Sequence, residues 1–112
     1  MALHLTARTF AGATIIECSG RLVLGEESAS LRDLVKSTLT ESKRVVLELG
    51  DVYFIDSAGV GLLARLFASA QMAGGALKLA NLSPRLQDML KITRLFLVFE
   101  IFETAEEAAK SF

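Results

Sequence analysis

The hydrophobic residues of this sequence change their spacing repeatedly along the chain, and this restricts the fold more than any other feature. Apolar residues alternate with polar ones over residues 3–10 and 14–24, on either side of the short segment Ala11–Gly12–Ala13. A period of two across a short turn is typical of a β-hairpin. From residue 26 to about residue 40 the spacing becomes helical, with two acids in the first turn, where negative charge suits the helix dipole.

The rest of the chain alternates short apolar strands with helices. Residues 44–49 form a β-branched run that continues, past a turn or bulge at Gly50 and Asp51, into the apolar residues 52–55, which suit a strand covered on both faces. A helix is predicted over residues 57–73, ended by two glycines, and a strand over residues 76–82. The next helix begins at Ser83–Pro84 and turns four residues inward: Leu86, Met89, Leu90 and Ile92. A strand over residues 97–102 and a short helix capped by Thr104 complete the chain.

The predicted order of elements is therefore ββαβαβαβα. Strand–helix–strand repeats with short loops imply right-handed crossovers and parallel strands. We predict an α/β fold with a single mixed β-sheet, in which an antiparallel N-terminal hairpin leads into parallel strands, packed with about four helices. A chain of 112 residues, of which 52% are hydrophobic, suits one domain over residues 1–112 with one core.

The charge balance argues against two classes of partner. Twelve basic and thirteen acidic residues give a net charge of −1, and the longest basic cluster is the pair Lys43–Arg44, so we expect no binding to nucleic acid or anionic membranes. The N-terminus lacks the apolar block of a signal peptide and no segment is long enough for a membrane span, so we expect a cytoplasmic protein without direct membrane insertion. The single cysteine, Cys18, fits a reducing compartment and is expected to be a small core residue.

Two polar residues stand where the strand ending at residue 55 meets the next helix. Asp56 or Ser57 would each suffice as an N-cap, because either side-chain oxygen accepts hydrogen bonds from the first N–H groups of a helix. Having both is more than capping requires. Gly59 and Gly61 have a packing explanation, since a side chain there would collide with the sheet.

The helix over residues 57–73 is apolar on more than one side. Its only charge between residues 60 and 73 is Arg65. Its apolar residues are Val60, Leu62, Leu63, Leu66, Phe67, Ala70 and Met72. Such a helix is buried on several sides or is partly covered by another molecule. For Met72 we favour a place in the core over a contact role.

Enzymatic alternatives find little support. Residues 59–64 read G-x-G-x-x-A after a strand, as in dinucleotide-binding folds, but the acidic residue required about 20 positions later is replaced by the run Ala80–Asn81–Leu82. The only histidine, His4, lies in the opening strand, so a Ser-His-Asp set has no evident anchor at the junction. No His/Cys cluster has metal-binding spacing. We expect a protein that is not an enzyme and holds no cofactor or metal, and keep nucleotide binding as a third alternative.

The hydroxyl at the head of the helix suggests a switch. If phosphorylated, Ser57 would gain about −1.5 to −2 charges at pH 7, which a helix N-terminus accommodates because its N–H groups and dipole point toward that charge. A partner packed against the same helix would meet a hydrated dianion. Binding would then be lost while the fold survived.

Over nearly its whole length the chain resembles the STAS domain of bacterial anti-sigma factor antagonists. The most specific part is I-D-S-x-G-x-G at residues 55–61 after an apolar strand, and the glycine pair followed by L-x-N-L-S-P at residues 79–84 adds support. The resemblance implies the mixed α/β fold of that family. It also implies a protein that binds an anti-sigma factor with serine kinase activity and so frees a sigma factor to direct transcription.

The resemblance further implies roles for the motif residues. Ser57 would receive phosphate from ATP bound to the kinase, a phosphatase would remove it, and Asp56 would orient the hydroxyl or contact the kinase. The other positions of the partner-binding segment are Ala58, Gly59, Val60, Gly61 and Leu63. The valine and the leucine of this set would contribute contacts if they face outward.

Three residues depart from the family pattern. Val23 stands where the family often has an acidic residue near the phosphorylation site, a role that Glu26 or Glu27 could take. Ala58 replaces a frequent second hydroxyl residue, and Arg94 replaces a glycine that often ends the third helix. The valine motivates an alternative function, a STAS accessory subunit that is not phosphorylated and holds the ATPase of a lipid transporter.

Overall fold

The computed structural model describes residues 3–112. Met1 and Ala2, which belong to the predicted domain of residues 1–112, lie outside the described residues. The elements, in chain order, are β1 (His4–Phe10), β2 (Ala13–Leu22), α1 (Glu26–Leu39), β3 (Arg44–Ile55), α2 (Ser57–Met72), β4 (Ala76–Ala80), α3 (Pro84–Ile92), a 3₁₀ helix (Leu95–Leu97), β5 (Ile101–Phe102) and α4 (Ala105–Lys110). The predicted order of strands and α-helices is confirmed.

The five strands of residues 3–112 form one mixed sheet in the order β1-β2-β3-β4-β5. β1 pairs antiparallel with β2 through a two-residue turn, Ala11–Gly12, in which both residues have positive φ. The pairs β2–β3, β3–β4 and β4–β5 are parallel. The prediction of an antiparallel hairpin leading into parallel strands is therefore confirmed.

The helices divide unequally between the two faces of this sheet. Each crossover moves one strand further in the same direction, and right-handed crossovers then place α1, α2 and α3 on one face. That face holds the larger core cluster, which includes Leu31, Leu66 and Leu86. The other face is covered by α4, whose alanines pack against Ile15 and Val46.

β3 is one long strand rather than two. Its pairing with β2 shifts register in the neighbourhood of Gly50 and again near Tyr53, so the predicted turn or bulge at residues 50–51 is an irregularity within a continuous strand. Val52 and Ile55 are buried, but Tyr53 is 59% exposed. The prediction that residues 52–55 are covered on both faces was wrong, because Tyr53 points to the face opposite Val52 and lies outside the cluster that α4 covers.

The C-terminal part departs most from the predicted elements. The strand predicted over residues 97–102 is only Ile101–Phe102, preceded by the 3₁₀ helix. The physical reason is pairing: β5 finds partners on β4 only at Leu79 and Ala80, so the earlier apolar residues have no ladder to join. No helix of residues 3–112 combines the length and apolar composition needed to cross a lipid bilayer.

Two apolar side chains predicted in the core are exposed. Ile92 is 78% and Met72 is 89% exposed. Each lies two residues after a buried position of its helix, Leu90 and Ala70, and two residues rotate a helix by about 200°, which points the side chain away from the sheet. Cys18 is buried, as predicted.

Candidate functional site

The candidate site is the junction at the carboxyl end of β3, and Asp56 organises it. Its Oδ1 accepts a hydrogen bond from the Gly59 N–H at 2.8 Å, which caps α2, and its Oδ2 accepts one from the Leu24 N–H at 3.1 Å. The carboxylate thus joins the start of α2 to the loop after β2. Desolvation raises the pKa of Asp56, but the hydrogen bonds from the N–H groups of Gly59 and Leu24 outweigh it and hold the pKa below its ordinary value.

Gly59 is required by a close approach between the helix and β2. A Cβ atom at this position would collide with the carbonyl oxygen of Leu22 and lie 2.8 Å from Cγ1 of Ile55. The same carbonyl oxygen accepts the Asp56 N–H at 3.4 Å. The packing explanation for this glycine is therefore correct, and it fixes the first turn of α2 against the sheet.

Gly61 differs from Gly59. A Cβ atom there would meet only the guanidinium of Arg65, at 3.4 Å, and no part of the sheet. The packing explanation fails for this residue, since Gly61 is half-buried on the outer side of the helix.

Ser57 is the first residue of α2 and its side chain is exposed. Capping of the helix is carried out by Asp56, so the serine hydroxyl is not needed for that purpose. Ala58, the next residue, is half-buried. The two polar residues at the junction therefore divide the work, with one holding the helix and the other presenting a hydroxyl to solvent.

The solvent side of α2, here called the outer stripe, is made mostly of small residues. Its members are Ser57, Gly61, Ala64, Arg65, Ala68 and Met72, all exposed or half-buried. Apart from the neighbours Ala64 and Arg65, successive members are three or four residues apart, which places them along one side of the helix. The helix therefore offers a partner a surface of mostly short side chains with one charge and, at its far end, an exposed methionine.

Val60 and Leu63 do not belong to the outer stripe. They are 4% and 0% exposed and lie in the larger core cluster between the helices and the sheet. The condition for contact with a partner, that they face outward, is not met, because α2 is buried on two sides, against α1 and against β3 and β4. A helix apolar nearly all round gives no periodicity from which this direction could be read.

The loop after β2 contributes a residue that the sequence did not single out. Leu24 is 77% exposed, and its N–H is tied to Asp56. Val23, which stands in the position of the family's acid, is half-buried, and its carbonyl oxygen accepts a hydrogen bond from the Ser28 hydroxyl. Glu26, in the first turn of α1, is exposed. The only sequence signal for Leu24 was an apolar residue next to a turn glycine.

Other chemistry finds no assembled site at the junction. His4 lies on the edge strand β1, and β2 lies between that strand and β3, which Asp56 and Ser57 follow. Within the part of the chain that the structure describes, no three His, Cys, Asp or Glu side chains come together in a group that could hold a metal ion.

The fold and the site define a small α/β domain in which a capped helix presents a serine at the edge of a mixed sheet. The family model for the STAS domain matches residues 4–108. The chain therefore belongs to the STAS domain family.

Known proteins similar to this chain include proteins named as anti-sigma factor antagonists. The anti-sigma-B factor antagonist of Bacillus subtilis is 40% identical over 58 residues, which are 52% of this chain and 53% of that protein. At identities of 30% to 40%, the matched segments span 53% to 60% of the length of the curated relatives.

Solved structures share the fold over most of both chains. An anti-sigma-factor antagonist (STAS) domain protein from Planctomyces limnophilus superposes with a TM-score of 0.80 at 22% identity, covering 94% of each chain. The Bacillus cell fate determinant SpoIIAA in its phosphorylated form superposes with a TM-score of 0.71 at 21% identity, covering 96% of each chain.

Proposed function

We propose that this chain is an anti-sigma factor antagonist whose binding is switched by phosphorylation of Ser57. It binds an anti-sigma factor with serine kinase activity and so frees a sigma factor to direct transcription. The kinase phosphorylates Ser57 and ends the complex, and a phosphatase restores it. In this function the chain is a cytoplasmic binding protein and a kinase substrate, and not itself an enzyme.

The observation that carries the proposal is the exposure of Ser57 beside the outer stripe. The hydroxyl can reach the active site of a kinase, and the small side chains of the outer stripe let a partner approach the helix closely. The names of the relatives, antagonists of anti-sigma factors, support the same function.

The electrostatics of the junction explain how phosphate would act. The carboxylate of Asp56 already occupies the Gly59 N–H and lies next to the serine. A phosphate dianion on Ser57 would be repelled by this carboxylate and would project into solvent over the outer stripe. There it would obstruct a partner while the cap, and with it the fold, stays in place.

Substitution of Ser57 tests the proposal. Ser57→Asp places a fixed negative charge at the head of α2, so we expect loss of the partner with a melting temperature within about 3 °C of wild type, since acids suit a helix N-terminus. Ser57→Ala should keep the partner and accept no phosphate. The control is Ser30→Asp, which adds the same charge at an exposed position of α1 and should keep the partner.

The measurement has two parts. The protein, purified from its own cells with whatever it binds, is examined for a retained ATPase of the serine kinase type, and the protein incubated with ATP and that kinase is examined by mass spectrometry. Phosphate on Ser57 is the expected result. An unfolded Ser57→Asp variant, or phosphate only at other residues, would contradict the proposal.

A second candidate function is favoured by Val23. Without an acid at this position the kinase loses one contact, although Glu26 in the first turn of α1 is exposed and can supply a carboxylate. If a transporter ATPase is retained and Ser57 carries no phosphate, the chain is an accessory subunit of a lipid transporter.

A further inference from the structure

A second surface of the molecule, at the β5 edge of the sheet, is unusually apolar. Of the eight large hydrophobic side chains exposed within residues 3–112, five lie between residues 92 and 101. We call these five the C-terminal patch: Ile92, Phe96, Leu97, Val98 and Ile101. Leu97 is 73% exposed. Apolar residues concentrated in this way mark an interaction site more often than scattered ones do.

The C-terminal patch is anchored mainly by Phe99, with half-buried Leu95 packed against the same core. Phe99 is 5% exposed and packs edge-on against Phe67 of α2, with ring centroids 5.4 Å apart. Because this ring anchors the segment, the residues on either side of it are fixed in an outward direction. β5, which follows, is the last strand of the sheet, and its outer edge has no paired strand among the described residues.

A cavity of about 750 Å³ lies beside the patch, between α3 and the ends of β4 and β5. Its walls include Leu82, Leu90, Phe96 and Phe102. Ile92, Leu97 and Val98 do not line it. A small molecule in the cavity would therefore leave three of the five patch residues in water, whereas the surface of a second protein can fill the cavity and cover them.

The charges at the cavity indicate which protein. Lys91 and Glu103 both line it, and the ion pairs of residues 3–112 leave both without a partner. A surface that carries one unpaired charge of each sign next to an apolar area is complementary to itself. In a two-fold dimer each residue meets its counterpart reciprocally, so the lysine of one copy would face the glutamate of the other, twice.

We propose that the C-terminal patch is the interface of a symmetric homodimer of this chain. Leu97 of each copy enters the cavity of the other, and Lys91 of each copy pairs with Glu103 of the other. The interface lies at the β5 edge of the sheet and leaves Ser57 and the outer stripe uncovered. The inference does not rest on the proposed function, and the two can fail separately.

Sedimentation velocity of the full chain between about 1 and 200 µM tests the dimer, since the dissociation constant decides which species is present. Wild type should be dimeric within this range. Leu97→Lys should be monomeric, with a dissociation constant raised by about 100-fold or more, because a charge would enter an apolar cavity. The control is Leu24→Lys, at a leucine of similar exposure (77%) outside the patch, which should dimerise like wild type.

A charge exchange makes the test specific for the predicted pairs. Lys91→Glu alone and Glu103→Lys alone should each weaken the homodimer, while an equimolar mixture of the two variants should form a heterodimer in which both contacts are restored. Ser57→Asp should dimerise like wild type, which separates this result from the kinase experiment. Wild type that stays monomeric, Leu97→Lys that stays dimeric, or a mixture that does not associate would overturn the proposal.

Discussion

At the scale of single residues, the capping role of Asp56 explains why Ser57 is exposed. The carboxylate binds the Gly59 and Leu24 N–H groups at once, which leaves the serine without a structural task and open to solvent. The sequence predicted that one of the two would cap the helix, but it could not say which. That assignment depends on the second bond, to a loop 32 residues earlier in the chain, which local pattern does not contain.

Asp56 variants should reveal these two bonds separately. Asp56→Ala loses both acceptors and should lower the free energy of unfolding by about 1–2 kcal/mol at pH 7, as for other N-caps. Asp56→Asn keeps an acceptor for the Gly59 N–H but turns an amide donor toward the Leu24 N–H, so its loss should be smaller than that of alanine. Urea unfolding followed by circular dichroism gives both values.

The same variants carry a pH dependence with a defined sign. The folded-state pKa of Asp56 lies below its ordinary value of 3.8, so its stabilisation is present above that value and is lost as the pH falls through the folded-state pKa. The difference between wild type and Asp56→Ala should therefore shrink when the pH is lowered from about 7 to about 3. Equal differences at both pH values would show that the carboxylate is not the stabilising group.

At the scale of elements, strong periodicity predicted well and continuous apolar runs predicted poorly. The amphipathic α1 and the hairpin strands have the predicted type and place. The strand predicted over residues 97–102 is limited to Ile101–Phe102, and of residues 95–99 only Phe99 is buried. Composition alone does not reveal that only Ile101 and Phe102 pair with β4, because pairing is a property of two segments.

Arg94 stands just after α3, where the family often has a glycine. It has φ 61° and ψ 15°, a left-handed conformation just after α3, so the turn is retained although the residue is not glycine. A side chain in this conformation is destabilising by about 1 kcal/mol relative to glycine. Arg94 therefore strains the turn that follows α3.

Replacing Arg94 with glycine should stabilise the protein. We expect an increase of about 0.5–1 kcal/mol in the free energy of unfolding and of a few °C in Tm, measured by thermal denaturation. Thr93→Gly is the matched control: its φ is −87°, and its hydroxyl donates to the carbonyl oxygen of Met89 at 2.9 Å, so this variant should be less stable than wild type. Destabilisation by both glycines would contradict the assigned strain.

At the scale of the whole molecule, the architecture could be predicted from the sequence, but which side of each helix faces the sheet could not. Short loops and alternating elements were enough for the order of elements, for the antiparallel hairpin followed by parallel strands, and for the position of the junction at the end of β3. Which side of α2 faces the sheet, and hence that Val60 and Leu63 are buried, depends on packing among α1, α2 and the sheet together. No single segment contains that information.

Cys18 reports on the integrity of this packing. It is 3% exposed, and burial, with a smaller contribution from Glu48, raises the pKa of its thiol to about 12. At pH 8 only about one thiol in ten thousand would be ionised, so modification by a disulfide reagent should require global unfolding. We expect labelling in native buffer to be at least about 100-fold slower than in 6 M guanidinium, where the unfolded protein serves as control. Rapid stoichiometric labelling of the native protein would disprove this burial.

The two faces of the sheet are covered unequally by helices. Three helices protect one face, whereas the six-residue α4 protects the other with alanines and the contact of Lys78 with Ser111. Partial opening therefore begins where the least apolar area is lost, by detachment of the last helix. Such brief openings would expose the back of the sheet and leave Asp56 and the start of α2 in place, so the fold can loosen there without changing how Ser57 is presented.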